Sequence, residues 1–414
     1  MATTVEGAGA HFEEGPLTEP QDAALTRSGA QRIGAIDMMR GLVIAIMVLD
    51  HVRDYFHIGV TAFNPTDATR TSLILYLTRW VTHLCAPTFV LLAGVSIYMQ
   101  RANGKTGGRL TQFLLSRGVW LVVLELTVIS FAWNFGPPPA FNLQVIWAIG
   151  WSMVIMALLA RLPSRVVLGI GAAFSLLFPL LIVGLMGMPG PDNSPSLTMQ
   201  LLFTGGFYQP LTALILYPVL PWTGIMAIGF GLGPVYMMEP ARRRRWLVGI
   251  ACGLLVLFFV LRGLNGYGDP RPWAVQANPM RTAMDFFDLL KYPPVPDFIA
   301  VTLACSMLVF VALEQLRGWL AGVFLAFGRT PLFTYICHIY IVHGAMLVAA
   351  AASGRPEVGV NWLSQQGGPA PAPWGVPLWA IYPIWIGVLL ALVPLAKWME
   401  GLKRRRRDWW LSFI

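Results

Sequence analysis

Arg40 and His51 are the residues whose types and spacing most directly suggest chemistry. They bound an almost wholly apolar run in IDMMRGLVIAIMVLDHVRDYFH, residues 36–57. In an α-helix each residue turns about 100° and rises about 1.5 Å, so the step from Arg40 to His51 is roughly three turns plus about 20°, or about 16 Å. Both side chains then project from one helix face, a fixed cation at one end and an imidazole at the other. Ionisable groups inside a membrane span are costly, and they face a polar cavity or each other. A guanidinium suits a phosphate through its bidentate geometry. An imidazole suits removal of a proton from a hydroxyl or amine as it attacks an acyl carbon. Asp50 and Asp54 stand beside His51, placed to orient or charge it. A donor that touches both ends needs a phosphorylated head and a long arm, and coenzyme A has that shape.

Each piece also has a plain structural account. Arg40 with Asp37, three residues earlier, can be an interfacial ion pair anchoring the helix end. The cluster from Asp50 to His57 can be a wet helix end. Their occurrence in phase on one helix favours chemistry.

The elements that must hold these groups are membrane helices. Of 414 residues, 56% are hydrophobic and 12% charged, and mean hydropathy is +0.63. Soluble domains carry about 25% charged residues. Apolar runs of about 20 residues recur, the length that crosses the hydrocarbon core. They predict an all-α polytopic bundle of about ten spans, near 36–56, 73–99, 111–133, 142–160, 165–186, 211–237, 246–262, 297–315, 321–350 and 376–398. Pro87, the YPVLPW stretch at 217–222 and Gly328–Pro331 predict broken helices, which are tolerated where neighbours or water satisfy the freed backbone groups.

Loop charge orients the bundle. QRANGKTGGR, RLPSR, EPARRRR, EQLRG and KWMEGLKRRRR are rich in Arg and Lys, whereas the alternating NFGPPPAFN and MGMPGPDNSP carry no basic residue. The positive-inside rule makes the first set and both termini cytoplasmic. The net charge of +9 is then topology and not a nucleic-acid surface. Residues 1–31 have no apolar core and no basic start, which predicts a disordered cytoplasmic tail ahead of a domain at 32–400 and a basic tail at 401–414. The four cysteines, Cys85, Cys252, Cys305 and Cys337, fall in separate apolar segments with neither disulfide nor zinc spacing. The long external loop 263–296 carries aromatic, amide and charged side chains, a combination that suits a sugar's ring faces and hydroxyls as well as a solvated connector. Asn265, Asp269 and Lys291 are its pocket candidates.

Further polar groups fall within the spans. His83 stands just before Cys85–Pro87 near the external end of span 2. Arg329 lies near the cytoplasmic end of span 9 as a further donor-side cation, and Tyr335 and His338 share a face three residues apart. His83 is either a pocket residue or a satisfied interfacial histidine, and His338 a pocket residue or a helix-packing donor. Glu125, alone in span 3, is either protonated and bonded to a neighbour or facing the cavity. No metal is expected, because no ligand spacing recurs.

Six segments in order carry a likeness: RIGAIDMMRGLVIAIMVLDHVRDYF, HLCAPTFVLLAGVSIY, YPVLPWTGIMAIGFGLG, LNGYGDPRPW, LLKYPPVPDF and FGRTPLFTYICHIYIVHG. From about residue 32 onward the chain resembles bacterial members of the heparan-α-glucosaminide N-acetyltransferase-like family. The Arg-X10-His spacing is also similar to the first-span signature of acyltransferase family 3. The resemblance implies transfer of an acetyl or other acyl group from cytoplasmic acyl-CoA to an external or lipid-linked sugar hydroxyl or amine. By position it implies Arg40, with Asp37, on the donor side and His51 as the base. The animal enzymes match at Arg40–Gly41 but carry an asparagine where His51 stands and a histidine further on, so the base is His51 first and His57 second. Direct transfer and an acyl-histidine intermediate both remain open. The expected partners are membrane lipid, a sugar or glycolipid acceptor and, for the bundle itself, a second copy of the chain, in a bacterial inner membrane. The alternatives are a secondary transporter using the same charges, against which stands the lack of an internal repeat between the halves, and a lipid- or solute-binding membrane protein.

Overall fold

Glycine and proline punctuate long apolar runs, and the elements follow that punctuation. The structure, a computed structural model, describes residues 33–59, 63–135, 141–186, 195–356, 374–406 and 408–412. The tail expected over 1–31 lies outside them. Helix α1 is Gly34–Phe56. Ser72 caps the start of α2, Leu73–Thr82, by accepting from the Leu75 N–H. A turn at His83–Leu84 leads to α3, Cys85–Ala102, so the break precedes Pro87, which sits in the first turn of α3 where it forfeits no intrahelical bond. Helix α4, Gly107–Leu124, continues through a widened π turn at Glu125–Ile129 into Ser130–Asn134.

Strand β1, Phe141–Leu143, leads into α5, Val145–Leu159, then α6, Ser164–Met186. Strands β2, Gly206–Tyr208, and β3, Ala213–Ile215, precede α7, Val219–Tyr236. Helix α8 is Pro240–Leu264, α9 is Pro279–Phe286 and α10 is Pro296–Leu313. Helix α11, Trp319–Arg329, is parted from α12, Pro331–Ala352, at the Gly328–Pro331 break. Helix α13, Leu378–Arg405, closes the bundle and carries the first basic residues of the expected C-terminal tail as helix.

The chain is thus an all-α, multi-pass bundle. Among the described residues, eight helices are long and apolar enough to cross a membrane. The two remaining expected spans are helices of another kind. Helix α1 is 23 residues long but carries Asp37, Arg40, Asp50, Arg53 and Asp54. Helix α5 is apolar but only 15 residues. The span expected over 211–237 is helical only from Val219, because Pro218 fixes an extended backbone at its cap. The residues before it form β3, paired parallel with β1 and antiparallel with β2.

Helix α1 lies at the centre, touching α2, α3, α10, α11, α12 and α13. Close backbone approach fixes it there. A Cβ on Gly41 would overlap the Phe324 carbonyl of α11, and one on Gly328 would overlap the Asp37 carbonyl of α1. Gly94 of α3 and Gly229 of α7 make a second such seam. In lipid, helix association rests on this small-residue packing, since a hydrophobic driving force between helices is absent. A charged helix enclosed by six others must turn its ionisable groups onto one another or into a cavity.

Candidate active site

His51 leaves α1 in its last two turns and meets His338 of α12, with His51 Nδ1 2.6 Å from His338 Nε2. The far nitrogen, His338 Nδ1, lies 3.3 Å from the Thr334 carbonyl. A carbonyl only accepts, so His338 Nδ1 carries the hydrogen and its Nε2 offers a lone pair. His51 Nδ1 must then donate, which leaves His51 Nε2 as an acceptor. The relay Thr334–His338–His51 thereby selects the tautomer that a general base requires. Trp133 packs edge-on against the His51 ring at 4.8 Å between centroids. Both histidines are buried.

His51 opens into a cavity of about 300 Å³. Helix α1 supplies Met47, Asp50, His51, Arg53 and Asp54; α2 and α3 supply Arg79, Thr82 and Cys85; the long loop supplies Lys291 and Tyr292; and Trp133, Gln144, Val145, Tyr217 and Tyr335 also line it. Asp50 is held by Arg79 at 2.8 and 3.0 Å, by Thr82 at 2.9 Å and by Arg53 at 2.7 Å. Three cations and two carboxylates line one small chamber, and Arg53 also pairs with Asp54. Burial alone raises the Tyr292 phenol, but Lys291 and Arg79 outweigh it and hold it below the ordinary phenol value.

Glu125 opens the widened turn in α4. Its carboxylate accepts from the Gln144 N–H at 3.0 Å and the Trp147 N–H at 3.2 Å, capping the start of α5. Of the two accounts that the sequence allowed, it follows the bonded one, and it fixes Gln144 and Val145 in the cavity wall.

The long loop is an ordered brace. Arg262 donates to the carbonyls of Arg271, Asp285, Phe286 and Asp288. Asp269 accepts from the N–H groups of Arg271 and Leu290. Asn265 exchanges hydrogen bonds with the Trp273 backbone. Asn265 and Asp269 therefore shape the loop without lining the chamber, and the adjoining Lys291 is what they deliver.

The other expected residues divide by position. Asp50, His51, Lys291 and Tyr335 line the chamber, and His338 stands behind His51. His83 is buried edge-on against Phe298, outside the lining. His57 lies past the end of α1, where the Gly59 N–H donates to its Nδ1. Burial and then Arg53 lower the basicity of His57. The structure thus pairs His51, and not His57, with the cavity. At the opposite end of α1, Arg40 pairs with Asp37 at 3.2 Å and donates to the Leu92 carbonyl and the Ser96 hydroxyl. The cavity reaches Met47 on the Arg40–His51 stripe, while fully buried Ile44 fills the interval toward Arg40. Arg329 pairs with Glu400.

Sequence reading passed over Arg79, Trp133, Gln144, Tyr217 and Tyr292 in the chamber. It also passed over Arg117, close enough to Arg40 for their charges to interact. Arg79 carried a legible signal, a lone cation within the apolar segment LILYLTRWVT. Arg117 carried the same signal within LTQFLLSRGVW, whereas Trp133, Gln144, Tyr217 and Tyr292 are uncharged and had none.

The family model described as heparan-alpha-glucosaminide N-acetyltransferase, catalytic, matches residues 32–263. The match takes in Arg40, Asp50, His51, Arg53 and Arg79, and ends before Lys291 and His338. No curated protein matches the chain.

Proposed function

The chain belongs to the heparan-alpha-glucosaminide N-acetyltransferase catalytic family, and from that premise we propose that it transfers an acetyl or other acyl group from acyl-CoA to a sugar hydroxyl or amine. The reaction centre in this reading is His51. Its Nε2 takes the proton from the acceptor O–H or N–H as that atom attacks the thioester carbon. The carbon–sulfur bond then breaks, and the leaving thiolate recovers the proton from His51 Nε2, giving free coenzyme A. Asp50 and Asp54 favour the imidazolium formed between these steps by their nearby negative charge. The observation that carries the reading is the relay that makes His51 Nε2 an acceptor on a residue lining a chamber of about 300 Å³.

A chamber of about 300 Å³ is at the lower end of ligand pockets, enough for the reacting ends of two substrates and too small for coenzyme A whole. The donor's phosphates therefore belong elsewhere, and Arg40 with Arg117 is the candidate cationic end, about 16 Å along α1 from His51 and closed off from the chamber in this structure by buried Ile44. The basic loops support a cytoplasmic location for that end and for both termini, in a bacterial inner membrane, with the His51 chamber toward the external side. The test is coenzyme A release from acetyl-CoA by the purified protein in detergent, with a sugar acceptor mixture present. Wild type releases it, and His51→Ala is slower by roughly 10²- to 10⁴-fold. Equal rates in the two proteins, or none in wild type, would remove the enzyme reading.

A further inference from the structure

Acyl transfer asks two things of a site: a group to take the acceptor's proton, and donors for the charge that collects on the thioester oxygen. His51 answers the first. The cationic and hydroxyl donors that α1 and α2 bring to the chamber are committed to carboxylates. Arg79 and Thr82 donate to Asp50, and Arg53 pairs with Asp50 and Asp54. A second polar cluster lines the same chamber, Lys291 and Tyr292 from the long loop and Tyr217 from the turn between β3 and α7. The Tyr292 hydroxyl is where the three meet. Lys291 hydrogen-bonds to it, and the Tyr217 hydroxyl stands 3.4 Å away. An ammonium only donates, so the Tyr292 oxygen accepts from Lys291 and its own hydrogen points elsewhere. Strong O–H···O bonds span about 2.5–3.0 Å, so Tyr217 holds that hydrogen only loosely. A phenol that accepts from a cation is in turn a stronger donor. Burial alone raises the Tyr292 phenol, yet Lys291 and Arg79 outweigh it, the same polarisation felt at the oxygen. The cluster is also held in place, since the Leu290 N–H, one residue before buried Lys291, donates to Asp269 at 2.7 Å.

We propose that Tyr292, backed by Lys291 and Tyr217, is the oxyanion donor of the transfer reaction in the chamber whose base is His51. This rests on the acyltransferase reading. As the acceptor oxygen or nitrogen bonds to the thioester carbon, the carbonyl π pair moves onto oxygen, and the Tyr292 O–H donates to the oxyanion so formed. The Tyr217 O–H is then placed to donate to the Tyr292 oxygen. The pair returns to re-form the carbonyl as the carbon–sulfur bond breaks. Tyr292 keeps its proton throughout, and His51 alone carries the acceptor's proton to the leaving thiolate. An oxyanion accepts far more strongly than a carbonyl or a second phenol, so this bond tightens in the transition state and lowers the barrier more than it aids binding.

The full chain in detergent is assayed for coenzyme A release from acetyl-CoA with the sugar acceptor mixture, as wild type, Tyr292→Phe and Lys291→Met. Removing one oxyanion donor lowers kcat by roughly 10²- to 10³-fold, and that is the loss expected of Tyr292→Phe. The half-saturating concentrations of acetyl-CoA and acceptor should stay within about threefold of wild type, as befits a bond made only in the transition state. Lys291→Met keeps the hydroxyl but not the cation behind it, and should lower kcat by about tenfold. Thermal unfolding of each variant shows whether it is folded, and Lys291→Met, on a loop, decides the matter if Tyr292→Phe is not. Wild-type kcat in folded Tyr292→Phe, or in Lys291→Met where it stands in, overturns the proposal and leaves the His51 chemistry intact. A raised half-saturating acceptor concentration at unchanged kcat overturns it too, since it assigns the hydroxyl to binding of the acceptor. No release by wild type removes the proposal together with the acyltransferase reading.

Discussion

A histidine becomes a base by what its other nitrogen does, and here that partner is a second histidine. His51 donates through Nδ1 to His338, whose own hydrogen is committed to the Thr334 carbonyl. Replacing His338 with alanine removes the acceptor and frees the His51 ring to turn or change tautomer. His338→Ala should lower the turnover number on the order of 10²-fold with little change in acceptor KM, because ground-state binding is untouched. His338→Gln, whose amide oxygen accepts the same hydrogen, should recover a large part of the loss. A merely structural role would make the two variants equally poor. His57→Ala should stay within about twofold of wild type, the range of substitutions away from such networks, since His57 bonds its own turn. Steady-state kinetics at saturating acetyl-CoA checks all three.

Helix α1 can bring ionisable groups into a membrane only because other helices enclose it. Its tightest neighbour is α11, where Gly41 and Gly328 let two backbones touch. Gly328→Ala forces a methyl group into the Asp37 carbonyl and should cost about 1–3 kcal/mol or more, the range for overpacked cores. Gly344→Ala in α12 meets no atom within 4 Å and should be neutral or stabilising by up to about 1 kcal/mol through helix propensity. Thermal unfolding in one detergent compares the two, and equal melting points would contradict the close-packed seam. Helix α2 and the long loop work on the same principle at the other end. Arg79 ties α2 to Asp50, and the carbonyls gathered by Arg262 hold the loop in the form that presents Lys291.

At the scale of the whole molecule, the charge of the loops sets which membrane face each end of α1 meets. Thr106 sits in a basic loop at the Arg40 end, and Ala277 in the braced loop at the His51 end; both are exposed. Thr106→Cys should react with a membrane-impermeant maleimide only after cells are opened, and Ala277→Cys should react in intact cells, each scored against the parent chain. The reverse pattern would turn the donor and acceptor sides about. Thr106 follows two crossings if α1 is counted and one if it is not, whereas Ala277 follows an odd number either way, so reaction of both cysteines in intact cells would remove α1 and α5 from the count.

Much of this was written in the linear chain. Long apolar runs dictate helices because lipid leaves backbone groups no other partner, and the Pro and Gly positions mark where the helices stop. The spacing of Arg40 and His51 follows from helix geometry alone, and with it their common face. What the chain could not disclose is the pairing across distance. His338 lies 287 residues from His51, and whether the second nitrogen of an imidazole meets a histidine, a carboxylate or nothing depends on how α12 docks on α1. In the same way, Asp50 reads as the neighbour of His51, but that it also pairs with Arg79 depends on the docking of α2. Asn265 and Asp269 read as pocket groups, yet their hydrogen bonds turn inward to the loop's own backbone. Local periodicity fixes which residues share a face. Only the packing of helices decides which polar groups saturate one another and which line a chamber.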